Sequence, residues 1–185
     1  MRIIAGEFRG RRLAVPSRPG LRPTPDRVRE TLFNWLGQWL DGLSCLDLFA
    51  GSGALGFEAA SRRAARVVMV EHDRDVFSHL KSVKQTIKAA QVELVLGDAF
   101  DYLRKAHDRF DLVFLDPPFR QNALPAALRE LPDRLKPGAR VYIEAAAPVE
   151  AKPPWQELRA ARAGQVSYQL LEWGGDDQGR LSGNV

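Results

Sequence analysis

The sequence predicts an α/β protein: a doubly wound, mostly parallel seven-stranded sheet with a closing antiparallel hairpin, preceded by a small N-terminal β-hairpin arm. Three observations predict it. From Ser44 onward, five short apolar runs alternate with helical stretches, the pattern of parallel strands with right-handed crossovers and both sheet faces covered. Two further strand-like runs flank Gly164 closely enough to pair antiparallel. The first 25 residues are too rich in arginine, glycine and proline to join that pattern.

Taken in order, Arg2 to Ala5 and Leu13 to Val15 read as two short strands joined through Gly6 to Gly10. Prolines 16, 19, 23 and 25 make residues 16 to 25 a stiff extended linker. A helix follows, with Thr24 placed to cap it, Pro25 suited to its first position and Asp26 to its positive end. Its apolar residues Val28, Leu32, Trp35, Leu36, Trp39 and Leu40 recur at helical spacing until Gly42. The core strands are expected at Cys45 to Phe49, Val67 to Val70, Val92 to Leu96, Leu112 to Leu115 and Val141 to Ile143. Helices are expected between them at about 54–63, 73–90, 99–106 and 123–135. Leu158 to Ala163 and Val166 to Trp173 form the hairpin, and the division is an arm and linker over 1–25, a main domain over 26–174 and a flexible tail over 175–185.

Composition narrows the class. With 45% hydrophobic and 27% charged residues the chain can bury one core and is neither disordered nor fibrous. The single cysteine, Cys45, lies in an apolar run and reads as a core thiol; no apolar run reaches membrane-spanning length, and a cytoplasmic location is expected. Residues 1–30 hold eight arginines (Arg2, Arg9, Arg11, Arg12, Arg18, Arg22, Arg27, Arg29) against Glu7, Asp26 and Glu30, a charge of +5, whereas the rest of the chain carries −1. Such a lopsided, all-arginine arm suits a polyanion, because the planar guanidinium grips phosphate through two bonds.

The loop after the first core strand, Asp47-Leu48-Phe49-Ala50-Gly51-Ser52-Gly53-Ala54-Leu55-Gly56, can turn sharply against a ligand at the carboxyl edge of the sheet. Gly51, Gly53 and Gly56 also satisfy the dinucleotide pattern, so a nicotinamide enzyme is a competing reading. Asp47, Glu71, Asp98 and Asp116, at or just beyond successive strand ends, oppose it: they repel a pyrophosphate and attract the sulfonium and ammonium of S-adenosylmethionine. Asp116-Pro117-Pro118-Phe119 is the most informative tetrapeptide. Its prolines fix a turn that offers a carboxylate, a carbonyl and an aromatic face to one small space, the set a planar base amine needs to be oriented toward a methyl group. His72, His79 and His107 have no metal-ligand spacing, and no Gly-Lys-Ser/Thr follows the glycine loop, so no metal is expected and kinase and hydrolase readings are weak.

At these residues the chain resembles a class I methyltransferase, and more closely the bacterial family that methylates guanine N2 in 16S ribosomal RNA during small-subunit assembly. The likeness rests on Ile3 to Gly6, Arg9 to Leu13, Leu21 to Glu30, Asp47 to Gly56, Asp116 to Phe119, and Gly164 to Val166 with Tyr168. Ala5 stands where members often have glycine, and Pro25 where many have threonine. The resemblance implies that Asp47 and the backbone of Ala50, Gly51, Ser52 and Gly53 hold the methionine part of S-adenosylmethionine, with Phe49 beside them. It assigns Glu71 to the ribose, Asp98 and Ala99 to the adenine, and His72 and Phe100 to the adenine's walls. It places Asp116, Pro117, Pro118 and Phe119 around the target amine, Arg22 and Arg27 at the substrate mouth, and Arg9, Arg11 and Arg12 on RNA phosphates. Implied as well are S-adenosylhomocysteine as product and a substrate of 16S rRNA within a particle that carries ribosomal proteins; separately from the resemblance, a monomer is expected. The competing readings are methylation of adenine N6 or of a protein glutamine amide, a nicotinamide-dependent oxidoreductase, and an RNA-binding assembly factor without catalysis.

Overall fold

The structure, a computed structural model, describes residues 1–15, 24–117 and 123–175. One sheet of seven strands organises it: β1 (Ser44–Asp47), β2 (Arg66–Glu71), β3 (Val92–Leu96), β4 (Phe110–Leu115), β5 (Leu135–Ala145), β6 (Trp155–Ala163) and β7 (Val166–Trp173). The helices are α1 (Asp26–Leu36), α2 (Ala54–Ser61), α3 (Arg74–Ile87), α4 (Ala99–Lys105) and α5 (Ala123–Glu130). The strand order is β3-β2-β1-β4-β5-β7-β6, parallel through β5 and antiparallel at β7 and β6. The chain therefore reverses its winding between β1 and β4, where open α/β sheets present a crevice at the carboxyl ends of their strands.

Period-two alternation sorts the strands onto two faces. Cys45, Met69, Phe114 and Tyr142 pack with α1, α2, α3 and the arm residues Ile3, Phe8 and Leu13. Leu46, Val70, Val113, Leu115 and Ile143 pack with α4 and α5. Cys45 is fully buried, and burial pushes its thiol upward, as a core residue requires.

Several element boundaries differ from expectation. α1 stops at Leu36 because Gly37 takes φ 99°, so Trp39 is 52% exposed beneath the Arg63 guanidinium instead of continuing the helix. Thr24 makes no cap: Pro25 occupies the capping position, and the Thr24 side chain hydrogen-bonds Glu144 instead. β1 ends two residues early, at Asp47. α2 and α3 are shorter than expected, and α5 gives way at Glu130 to a 3₁₀ turn, Pro132–Arg134. β5 is much longer than the Val141 to Ile143 run, and β6 begins three residues before Leu158. The arm forms a single bridge, Arg2 with Arg12, plus the bonds Ile3 N–H to Arg11 and Leu13 N–H to Met1, rather than two regular strands.

That arm is clamped to α2. The fully buried Glu58 carboxylate accepts the N–H groups of Ile4 and Ala5 at 2.9 and 3.1 Å, and also the side chains of Arg29 and Arg62 at 3.2 and 3.0 Å. Arg29, 1% exposed, further reaches Asp26 at 2.6 Å and the Arg2 carbonyl at 2.8 Å. The Ser61 hydroxyl accepts the Phe8 N–H. Gly6 lies so close to α2 that a side chain there would meet the Ser61 carbonyl at 1.8 Å. Among the described residues no helix is long and apolar enough to cross a membrane.

Candidate active site

The sheet face that packs against α1 to α3 carries a row of acids at its carboxyl edge. Asp47 lies opposite Met69 and Phe114, and Leu115 opposite Ile143, so two-residue alternation brings Glu71, Asp116 and Glu144 to the rung above Asp47 on the same face. Asp47 and Asp116 flank the reversal of winding between β1 and β4. Glu144 was not foreseen: in the sequence it follows the run Val141 to Ile143 as an ordinary polar strand exit. Asp98 uses its Oδ1 to accept the N–H groups of Phe100 and Asp101 and so caps α4. The fourth acid of this row is thus Glu144.

Each carboxylate has a local reason for its position. Asp47, buried, accepts the Gly56 N–H at 2.9 Å, which tethers the first turn of α2 to β1. Burial pushes its carboxyl up to about 7, the Gly56 N–H opposes that, and Glu71 adds to it. Glu71 accepts the Gly51 N–H at 2.9 Å and the Asp73 N–H at 2.8 Å, so it shapes the glycine loop as well as ending β2. Burial, Glu144 and Asp47 hold the Asp116 carboxyl well above the usual carboxylate range. Among the described residues no group of three or more His, Cys, Asp or Glu could hold a metal.

The loop itself is built for close approach. Gly53 sits at φ 77°, and a side chain there would meet the Phe57 ring at 2.6 Å and Leu80 at 2.8 Å, so only glycine fits between the loop and its supporting helices. Its N–H closes a turn on the Ala50 carbonyl at 2.7 Å, while Ala50 N–H bonds Val70 at 2.9 Å. The buried Ser52 lies with its hydroxyl 3.8 Å from the Met1 sulfur, which brings the arm's first residue to the loop. Beside it the Phe49 and Phe100 rings meet edge-on with centroids 6.4 Å apart, and Ala99 is buried below Phe100 at the start of α4. His72 is 74% exposed, its Nδ1 3.2 Å from Glu71. The buried Pro117 leads away from Asp116.

Arg9, Arg11 and Arg12 are exposed on the arm, with Arg11 reaching the Thr86 carbonyl of α3 at 3.2 Å and lying 5.8 Å from the Phe8 ring centroid. Arg27 is exposed on the first turn of α1. Pro118, Phe119 and Arg22 lie outside the described residues. Sequence reasoning missed the Arg29–Glu58–Arg62 network; the only signal was the spacing of Glu58 and Arg62, four residues apart on one helix face.

A family described as conserved hypothetical protein 95 matches residues 1–172. The chain is 45% identical over 179 residues to the ribosomal RNA small subunit methyltransferase D of Escherichia coli, covering 93% of this chain and 89% of that protein. It is 44% identical over 180 residues to the protein of the same name from Haemophilus influenzae, covering 93% of each. A solved structure described as the putative methyltransferase yhhF from Escherichia coli superposes with a TM-score of 0.87 at 43% identity, over 95% of this chain and 99% of that one. With the match running through arm, sheet and closing hairpin, the chain belongs to the conserved hypothetical protein 95 family and has the class I methyltransferase fold.

Proposed function

We propose that the protein transfers a methyl group from S-adenosylmethionine to the exocyclic N2 amine of a guanine in 16S ribosomal RNA, on an assembling small-subunit particle in the cytoplasm. The observation that carries the reading is the position of Asp116 and Pro117: they leave β4 at the reversal of winding, beside the glycine loop. The names of the E. coli and H. influenzae relatives support ribosomal RNA of the small subunit as substrate; the turn chemistry supports an amine, and the family resemblance narrows it to guanine N2.

The residues present fit the cofactor. The row of acids, with Asp47, Glu71 and Glu144 buried, favours a cation, the positive φ of Gly53 turns the loop tightly at the carboxyl edge of the sheet, and Phe49 and Phe100 offer an apolar wall for a purine. When bound, S-adenosylmethionine supplies a methyl group already activated by its sulfonium, so no metal is required, and S-adenosylhomocysteine is the product. In this reading Asp47 and Ala50 to Gly53 hold the methionine part, Glu71 the ribose, and Asp98 with Ala99 the adenine, beside His72. Asp116 and the Pro117 carbonyl accept the two amine N–H groups, which aims the nitrogen lone pair, with Pro118 and Phe119 completing the turn. Arg9, Arg11 and Arg12 grip the RNA backbone, and Arg22 and Arg27 border the mouth; that grip offsets part of the cost of unstacking the base. The protein acts as a monomer.

The test is incubation of the protein and labelled cofactor with small-subunit particles from cells that lack it, followed by nucleoside and peptide mass analysis. Label in N2-methylguanosine is expected. Label in N6-methyladenosine or in a glutamine amide would overturn the acceptor, and salt-sensitive RNA binding without any label would leave an assembly factor. Tight NADH binding with none of S-adenosylhomocysteine would overturn the cofactor.

A further inference from the structure

Parallel pairing of β4 and β5, with Leu115 opposite Ile143, sets the next residues of the two strands, Asp116 and Glu144, side by side at the cleft. Glu144 is buried and held from two elements. The Tyr142 hydroxyl donates to its Oε1 at 2.9 Å, and the Thr24 side chain hydrogen-bonds it from the segment ahead of α1. Tyr142 is fixed in turn, edge-on to Phe114 at 6.5 Å and tilted against Tyr168 at 6.4 Å. A well-packed apolar side chain would serve the core at least as well as a buried carboxyl. The glutamate is therefore explained by its effect on the acid beside it.

We propose that Glu144 is a positioning residue of the methyl-transfer site: anchored by Tyr142 and Thr24, its carboxylate keeps Asp116 a strong enough base to accept the proton that the methylated amine sheds. The inference rests on the reading of Asp116 as the amine's acceptor. The step balances. The nitrogen lone pair forms the new C–N bond, the methyl–sulfur bond breaks with its electron pair left on sulfur, and the surplus N–H proton passes to an Asp116 oxygen and then to water.

Two neighbouring carboxyls in buried surroundings resist ionising together, and donors that favour one anion raise the other's affinity for a proton. Glu144 is raised by burial and pulled back by Tyr142 and Thr24, whereas Asp116 is raised by burial, by Glu144 and by Asp47. The groups that face the pair are Tyr142 on β5, Tyr168 opposite Glu144 on β7, Asp47 on β1 and Thr24 ahead of α1. A sulfonium bound in this cleft would oppose these influences and favour the Asp116 carboxylate, the form that accepts the proton.

Calorimetry of S-adenosylmethionine and S-adenosylhomocysteine binding, in two buffers of different ionisation enthalpy, counts released protons with no methyl acceptor present. The wild-type protein is expected to release more protons with the sulfonium ligand near neutral pH. Glu144→Gln should lose that difference, and Glu144→Asp should keep part of it. In turnover, Glu144→Gln should move the acid limb of kcat down by about one pH unit or more and lower its plateau about tenfold or more, with KM for RNA unchanged. Thr24→Val keeps volume, removes the hydroxyl, and should shift both readouts the same way by less, which keeps the test decisive should Glu144→Gln fail to fold. An unchanged proton count and an unchanged acid limb in a folded variant overturn the proposal. Loss of wild-type incorporation at guanine N2 with sulfonium-linked proton release intact would overturn the acceptor reading instead.

Discussion

Among the described residues Asp47 has a single backbone N–H to offset its removal from water, and its carboxyl is pushed up to about 7. The unfolded chain ionises such a group near pH 4, so between about pH 4 and 7 the folded state holds a proton that the unfolded state gives up, and the associated stability falls as pH rises through that window. Asp116, also raised, acts with the same sign. Asp47→Asn and Asp116→Asn should therefore raise the melting temperature of the ligand-free protein at about pH 8 relative to wild type, by about 2–4 °C for each kcal/mol recovered, and raise it by much less at about pH 5, early in that window. Thermal unfolding at the two pH values checks this. Asp116→Asn should also cut methyl incorporation by about 100-fold or more while S-adenosylhomocysteine affinity stays within a few-fold; undiminished turnover would remove Asp116 from the chemistry. The acids that suit the site to a cation thus make the empty fold less stable.

At the scale of the element, α2 joins two jobs. Its first turn is tethered to Asp47 behind the glycine loop, and its last two turns carry Glu58 and Ser61, which clamp the arm. Glu58→Ala should cost about 3–5 kcal/mol, because it removes the buried acceptor shared by Arg29, Arg62 and two backbone N–H groups; chemical denaturation measures it. Gly53→Ala should weaken S-adenosylhomocysteine binding and lower stability together, since a methyl group there must displace Phe57 or Leu80 at positive φ. Neither role of α2 could be read from its residues in line. Glu58 and Arg29 stand 29 positions apart and look like charges on two separate helix surfaces until tertiary packing buries them against each other. Trp39 misled for the opposite reason: apolar periodicity ran on past Gly37, whose backbone had already ended the helix. The glycine loop and the Asp116 turn were legible because their constraints are local ones of turn geometry and proline. Glu144 was not, because only the register of β4 and β5 reveals its neighbour.

For the whole molecule, the sheet gathers its acids at one crevice while the excess positive charge stays on the first 30 residues. RNA binding should fall steeply with salt, and Arg9→Ala, Arg11→Ala and Arg12→Ala should each lower the slope of log affinity against log salt by about 0.7–0.9 for every phosphate the arm then leaves unneutralised; filter binding over a salt series measures it. Cofactor affinity in the same variants should stay constant. The alternation of strands and helices was visible from the apolar runs alone, since it is enforced by burial on both faces, whereas the length of β5 was hidden because its first half carries Lys136, Pro137, Gly138 and Arg140.

The sheet stops at β6, whose far side pairs with no other strand among the described residues. That edge is kinked by a register shift between Glu157 and Arg159 and bears Arg159 and Arg162, both exposed. A bent, charged edge is a poor template for another chain. This edge is therefore guarded against strand addition, a colloidal safeguard that Arg159→Val with Arg162→Val should remove, as light scattering during prolonged storage would show.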